Sequence, residues 1–166
     1  MSFADRIVQW QPFFITVATL SGTLVGLLFI SLSINREAIT ANRTLLRLAR
    51  RSFSDFIFIL LISLFFLIPL QGGFHLGIEL WAIGVLKTKL MFQQMLELSG
   101  GGQKLSWWDL TCEYVLPVLS TAGLAIGGWR IYQESLLGVY YFVVPVIATL
   151  LATACSNAWR LLIMEK

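Results

Sequence analysis

The stretch PFFITVATLSGTLVGLLFISLSI, residues 12–34, contains no charged side chain in 23 consecutive positions. At about 1.5 Å of rise per residue, a helix of this length crosses the roughly 30 Å hydrocarbon core of a bilayer. The composition agrees, because 57% of the 166 residues are hydrophobic and only 13% are charged. A soluble domain carries about 25% charged residues, so we expect lipid to cover much of this protein.

Further apolar runs predict an all-α integral membrane bundle of about five transmembrane helices in a single domain, residues 1–166. The expected helices are, in chain order, 12–34, 54–71, 74–96, 109–129 and 135–163. Four of them are clear in the sequence. The third is ambiguous, because its apolar run is interrupted by His75 and Glu79.

Basic residues predict the orientation of these helices. The segment between the first two spans, residues 35–51, carries five arginines and one glutamate, and basic loops stay in the cytoplasm. With five spans, this rule places the N-terminus outside and the C-terminus in the cytoplasm. The segment is also amphipathic, so we expect its arginines to face anionic lipid: Arg36, Arg43, Arg47, Arg50 and Arg51. The alternatives are a topology signal without a further role, or a cytoplasmic continuation of the first helix.

The string SFSD, residues 52–55, stands directly before the second apolar run. Serine and aspartate are favourable N-cap residues, and an aspartate in the first turn suits the positive end of the helix dipole. We therefore expect Ser52, Ser54 and Asp55 to begin the second transmembrane helix at the cytoplasmic surface.

Two GxxxG motifs predict close helix packing. Gly22 and Gly26 lie in the first helix, and Gly123 and Gly127 lie in the fourth; small residues four apart let helix backbones approach closely. One interpretation is packing within a single chain. The other is packing between copies in a homo-oligomer, in which polar side chains line a narrow pore. The polar residues in question are Thr19, Thr149, Thr153 and Asn157.

His75 and Glu79 are four residues apart and therefore share a helix face. An ionisable residue at depth in a membrane is a candidate functional group, so one hypothesis is an ion or proton site at this pair. The other is an interfacial pair, in which His75 or a neighbouring hydroxyl holds Glu79. Because further ligands are not visible, we expect no metal site and no cofactor.

The string LVGLLFISLSI, residues 24–34, resembles a string shared by small bacterial multipass inner-membrane proteins that carry no assigned function. It covers about a fifteenth of the chain. The resemblance implies a bacterial inner membrane and assigns no active residues.

Two functions fit these patterns. One is a homo-oligomeric channel- or pore-like assembly for small ions; the alternative is a non-transporting membrane partner or accessory subunit of a larger complex. The polar positions favour the first, and the small size and the scarcity of charge within the spans favour the second. We expect no enzyme activity, since the single histidine has no nucleophile beside it, and no nucleic-acid partner at a net charge of +3.

Overall fold

The computed structural model describes residues 6–69, 72–99, 116–133, 135 and 137–164. This part of the chain is helical and contains no β-strand, so the all-α class is confirmed. Its elements are a 3₁₀-helical turn (Val8–Trp10), α1 (Gln11–Ile34), α2 (Arg36–Ala41), α3 (Arg43–Leu67), α4 (Gly73–Ser99), α5 (Leu116–Tyr132), a π-helical turn (Val139–Val143) and α6 (Val144–Met164).

Two helices in the described part of the chain are long and apolar enough to cross a membrane. They are Val8–Ile34, with 27 residues, and Val139–Leu161, with 23. The other expected spans are shorter or carry charges: α3 begins with a run of arginines, α4 has lysines in its middle, and α5 is described over 17 residues. The five-span bundle is therefore not confirmed and stays a prediction.

The first helix begins within one residue of the expected 12–34 range and ends at the expected residue. Pro12 stands in its first turn, where the missing N–H removes no helical hydrogen bond. Asn35 separates α1 from α2, and Asn42, in an extended conformation with φ −109° and ψ 109°, separates α2 from α3. The basic segment 35–51 is therefore divided between two helices.

The second expected helix begins earlier than its capping residues predict. We expected Ser52, Ser54 and Asp55 to begin it, but α3 starts at Arg43 and all three lie in its interior. That expectation is wrong because one apolar face continues across the arginines at helical spacing. The buried residues of this face are Leu45, Ala49, Phe56 and Ile59.

The remaining helices follow the expected order with shifted ends. α3 stops at Leu67, just before Pro69, which cannot continue a helix. α4 agrees with the expected 74–96 helix and is longer at both ends. The expected start of the fourth helix at residue 109 lies outside the described residues. The last helix opens with a π-helical turn, in which the Val144 N–H donates to the Val139 carbonyl five residues earlier, and Pro145, which has no N–H to donate, follows directly.

Contacts between helices divide the chain into two compact units. The first unit contains α4, α5 and the chain from the π-helical turn to Thr149. The second unit contains Trp10–Leu67 and the part of α6 from Leu150 onward. In the second unit α1 packs on α3, and the rings of Phe14 and Phe66 stack at a centroid distance of 4.0 Å and an interplanar angle of 7°.

Candidate functional site

Three polar residues are buried in one turn of α3, which we call the polar turn: Arg51, Ser52 and Asp55. Their side chains are 9%, 0% and 0% exposed, respectively. Spacings of three and four residues place them on one side of the helix. Because charged side chains are almost never buried unless they are paired, a buried arginine and aspartate mark this turn as a specialised position.

The polar turn lies within an otherwise apolar surface. Ser52 stands between Ala49 and Phe56, which are themselves buried. Arg51 and Asp55 both interact with neighbouring groups. The Ser52 hydroxyl, in contrast, finds no hydrogen-bond partner among the described residues. A buried hydroxyl without a partner costs free energy, so the hydroxyl of Ser52 does not stabilise the fold.

The arginines expected to face lipid do not behave alike. Arg36, Arg47 and Arg50 have exposed side chains on α2 and α3, whereas Arg51 is buried. The expectation for Arg51 is therefore wrong, because its position falls on the buried side of the continuous α3 helix. Arg43 is the first residue of α3, and its side chain lies outside the described part of the structure.

His75 and Glu79 both lie near the start of α4, one turn apart. The His75 side chain is exposed, and its ring contacts Phe74 edge to face at a centroid distance of 5.3 Å. Glu79 is half-buried and interacts with a neighbouring group. Among the described residues, no group of three or more His, Cys, Asp and Glu side chains lies close enough together to hold a metal ion.

The two GxxxG motifs have opposite surroundings, and the fourth-helix motif is packed within the chain. A Cβ on Gly127 would lie 2.7 Å from the Cβ of Phe142. A Cβ on Gly123 would lie 3.8 Å from Val146 and 3.9 Å from the same phenylalanine. This motif therefore seats α5 against the π-helical turn and the start of α6.

The first-helix motif faces open space. A Cβ on either Gly22 or Gly26 would meet nothing within 4 Å. Thr19 and Thr23 lie on the same side of α1, and their hydroxyls donate to carbonyls of their own helix at 2.9 and 2.8 Å. We call this surface of Thr19, Gly22, Thr23 and Gly26 the open glycine face.

The polar residues of α6 do not form a comparable open surface. Thr149 donates to the Val146 carbonyl at 2.9 Å and Thr153 donates to the Leu150 carbonyl at 3.0 Å, and both side chains are half-buried. Asn157 is only 5% exposed. Of the polar positions considered for a pore, Thr19 is therefore the one on an exposed surface.

A glycine contact that has no GxxxG spacing holds α4 against α5. Gly77 and Gly84, seven residues apart on α4, meet the backbone of Gly128 and Ala125 on α5. The Thr88 hydroxyl lies 3.2 Å from the hydroxyl of Thr121 in the same interface. Residues seven apart return to the same helix face every two turns. A pattern of small residues at this spacing therefore identifies Gly77 and Gly84.

No family model matches the chain, and neither a curated protein nor a solved structure matches it. The candidate sites therefore rest on the residues and their geometry.

Proposed function

We propose that this chain is a multipass protein of a bacterial inner membrane that assembles with copies of itself through the open glycine face of α1 into a channel-like assembly for small ions. The proposal includes five spans, with the N-terminus outside and the C-terminus in the cytoplasm. The two long apolar helices support insertion, and the arginines of residues 35–51 support the orientation.

The observation that carries the proposal is the empty space at Gly22 and Gly26. In a membrane, helices associate through close van der Waals packing and not through a hydrophobic drive, and two glycines four apart supply a surface for it. The chain itself fills the equivalent space at Gly127 with Phe142. Gly22 and Gly26, with empty space beside them on an uncharged helix, form a surface against which a second copy of α1 can pack.

The ion path in this proposal follows the hydroxyls beside the glycines. The hydroxyls of Thr19 and Thr23 donate hydrogen bonds to carbonyls of their own helix. Their oxygen lone pairs remain as acceptors, and rings of such oxygens replace part of the hydration shell of a cation. Copies of α1 arranged around an axis would bring these oxygens together.

The second candidate function is a non-transporting partner of a larger membrane complex. It is favoured by the absence of any ionisable residue in the sequence of the open face, since residues 12–34 carry no charge. The charged residues of the polar turn are buried in the second unit instead. An uncharged open face fits another apolar helix as well as it fits a copy of itself.

The test is the mass of the detergent-solubilised particle. Wild-type protein is expected to run as an oligomer, and Gly22→Ile with Gly26→Ile is expected to run as a folded monomer with unchanged helical circular dichroism. Leu20→Phe, which adds bulk at an exposed position of α1 outside the glycine face, serves as the matched control and should keep the oligomer. An unchanged mass in the double variant would exclude this interface.

Ion flux then separates the two functions. Liposomes that contain the wild-type oligomer should pass small cations, and those that contain the double isoleucine variant should not. A stable oligomer that passes no ion at any membrane potential would leave the partner function in first place, and its partner would then be sought by pull-down from native membranes.

A further inference from the structure

An apolar cavity of about 360 Å³ lies within the second unit. Its wall includes Leu28 of α1, Ile39 of α2, Phe56 of α3 and Trp159 of α6. The volume lies in the range of about 300–1,000 Å³ that is usual for small-molecule sites. Such sites normally add several polar groups that orient the ligand, whereas this wall is almost wholly apolar. The lining therefore suits a flexible hydrocarbon chain.

Two residues of the basic segment 35–51 line the cavity. Ile39 lines the cavity and lies one turn after Arg36, whose side chain is exposed. Leu45 and Phe56 of α3 also line it, and the periodicity of that helix places the exposed Arg47 and Arg50 on its other side. The only acidic residue of the 35–51 segment is Glu37. The segment beside the cavity therefore carries a net positive charge.

We propose that this cavity holds an acyl chain of an anionic phospholipid, from the leaflet that faces the basic segment, and that Arg36 binds its headgroup phosphate. Arginine presents several N–H donors to a phosphate and keeps its charge under all physiological conditions. The cavity supplies affinity for the chain, and Arg36 supplies the preference for a negative headgroup. This inference requires membrane insertion, but neither an oligomer nor a pore.

A second copy of the chain has a different surface of α1 available to it. The glycine pair proposed for self-association is absent from the cavity wall, which α1 lines with Leu24, Leu27, Leu28, Ser31 and Leu32. Lipid and copy therefore use different sides of α1.

Cys155 provides a native reporter for the test, because it lines the cavity and its thiol is free. The protein, in a Cys112→Ser background, is labelled in detergent with a small uncharged maleimide. Added phosphatidylglycerol is expected to slow the labelling of Cys155 roughly tenfold more effectively than phosphatidylcholine of the same chain length. Inorganic phosphate alone should not slow it, and protection by phosphate alone would show a site for the free ion and overturn the lipid assignment.

Two variants separate the chain from the headgroup. Arg36→Gln should reduce the protection by phosphatidylglycerol to the level of phosphatidylcholine, whereas Arg47→Gln, on the side of α3 away from Leu45, is the matched control and should keep it. Ala158→Phe fills the cavity wall, and native mass spectrometry should then show loss of the bound lipid that the wild type retains. Circular dichroism checks that each variant remains folded, and Ile126→Phe, at an exposed position of the first unit, should retain the lipid.

Several results would overturn the inference. Equal protection by the two lipids would remove the anionic preference, and no protection by either would leave the cavity without a lipid. Efficient oxidative cross-linking of Cys155 to Cys155 in a second chain would show that another copy fills the cavity. Lipid retention by the monomeric Gly22→Ile with Gly26→Ile variant keeps this inference separate from the proposed self-association.

Discussion

Gly77 of α4 and Gly128 of α5 face each other at a distance that admits no side chain. A Cβ on Gly77 would lie 2.7 Å from the carbonyl oxygen of Gly128, and a Cβ on Gly128 would lie 2.8 Å from the carbonyl oxygen of Gly77. Two turns farther along α4, a Cβ on Gly84 would lie 3.1 Å from the Ala125 nitrogen. The first unit is therefore built on direct backbone contact between two helices.

The first prediction concerns this contact. Gly77→Ala places a methyl group against backbone atoms that cannot rotate away, so the helices must separate. We expect a loss of about 1–3 kcal/mol of unfolding free energy, measured by thermal or denaturant unfolding in detergent. Gly72→Ala is the matched control, since a Cβ on Gly72 would meet nothing within 4 Å and this residue lies outside the open glycine face. Equal stability of the two variants would contradict the tight interface.

The second prediction concerns the hydroxyl of Ser52. Because it is buried and finds no partner among the described residues, Ser52→Ala should raise the unfolding free energy by about 1 kcal/mol. The control is Ser63→Ala, which removes a buried hydroxyl that donates to the Ile59 carbonyl at 2.9 Å and should not stabilise the protein. If Ser52→Ala destabilises the fold, the hydroxyl is bonded in solution and the polar turn is structural. If the variant is more stable but loses ion flux, Ser52 is held for function.

The third prediction concerns topology. In a background without Cys112 and Cys155, a cysteine at Ser2 should react with a membrane-impermeant maleimide added to intact cells. A cysteine at Ser99 should react only after the membrane is opened. The reason is the arginine segment at 35–51, which keeps the first connection in the cytoplasm. Equal labelling at the two positions would contradict five spans with the N-terminus outside.

The fourth prediction concerns Glu79, the half-buried acidic residue on α4. Glu79→Gln keeps the shape of the side chain and removes its charge. If Glu79 is an ion or proton site, as its depth in the expected third span suggests, cation flux in liposomes should fall while the particle mass stays unchanged. Glu37→Gln, at an exposed position of α2, is the control for loss of one negative charge. Unchanged flux combined with a lower melting temperature would identify Glu79 as an anchor of the helix.

The sequence predicts a helix boundary where a local apolar run sets it, and does not predict one that tertiary burial sets. The boundaries of α1 follow from an uninterrupted apolar run, because no charge competes with lipid over residues 12–34. The start of α3 does not follow from its capping residues, because Ser52 and Asp55 carry a local signal for a helix start that burial of the face from Leu45 onward outweighs. Where α3 begins is therefore decided by tertiary burial and not by the capping residues, and a single sequence does not reveal that burial.

The candidate site shows the same limit. A GxxxG pattern identifies Gly22 and Gly123 equally well, yet the space beside the first is empty and the space beside the second is filled by the chain. The spacing states only that close approach is sterically allowed. Which helix approaches depends on the three-dimensional arrangement, and for that reason the sequence alone neither predicts the Gly77 contact nor distinguishes the two motifs.

The π-helical turn at Val139–Val143 has a consequence for insertions and deletions. A turn of this kind holds one residue more than an α-helical turn. If that extra residue is deleted, the helix faces before and after the turn stay aligned. Removal of Tyr140 or Tyr141, both exposed, would convert the turn into regular α-helix and leave the buried Gly138, before the turn, and Leu150, after it, on their present faces. A one-residue deletion farther along α6 would instead rotate every later side chain by about 100°. The turn is thus the place in this helix where the length of the chain can change by one without a change in what the helix presents to its neighbours.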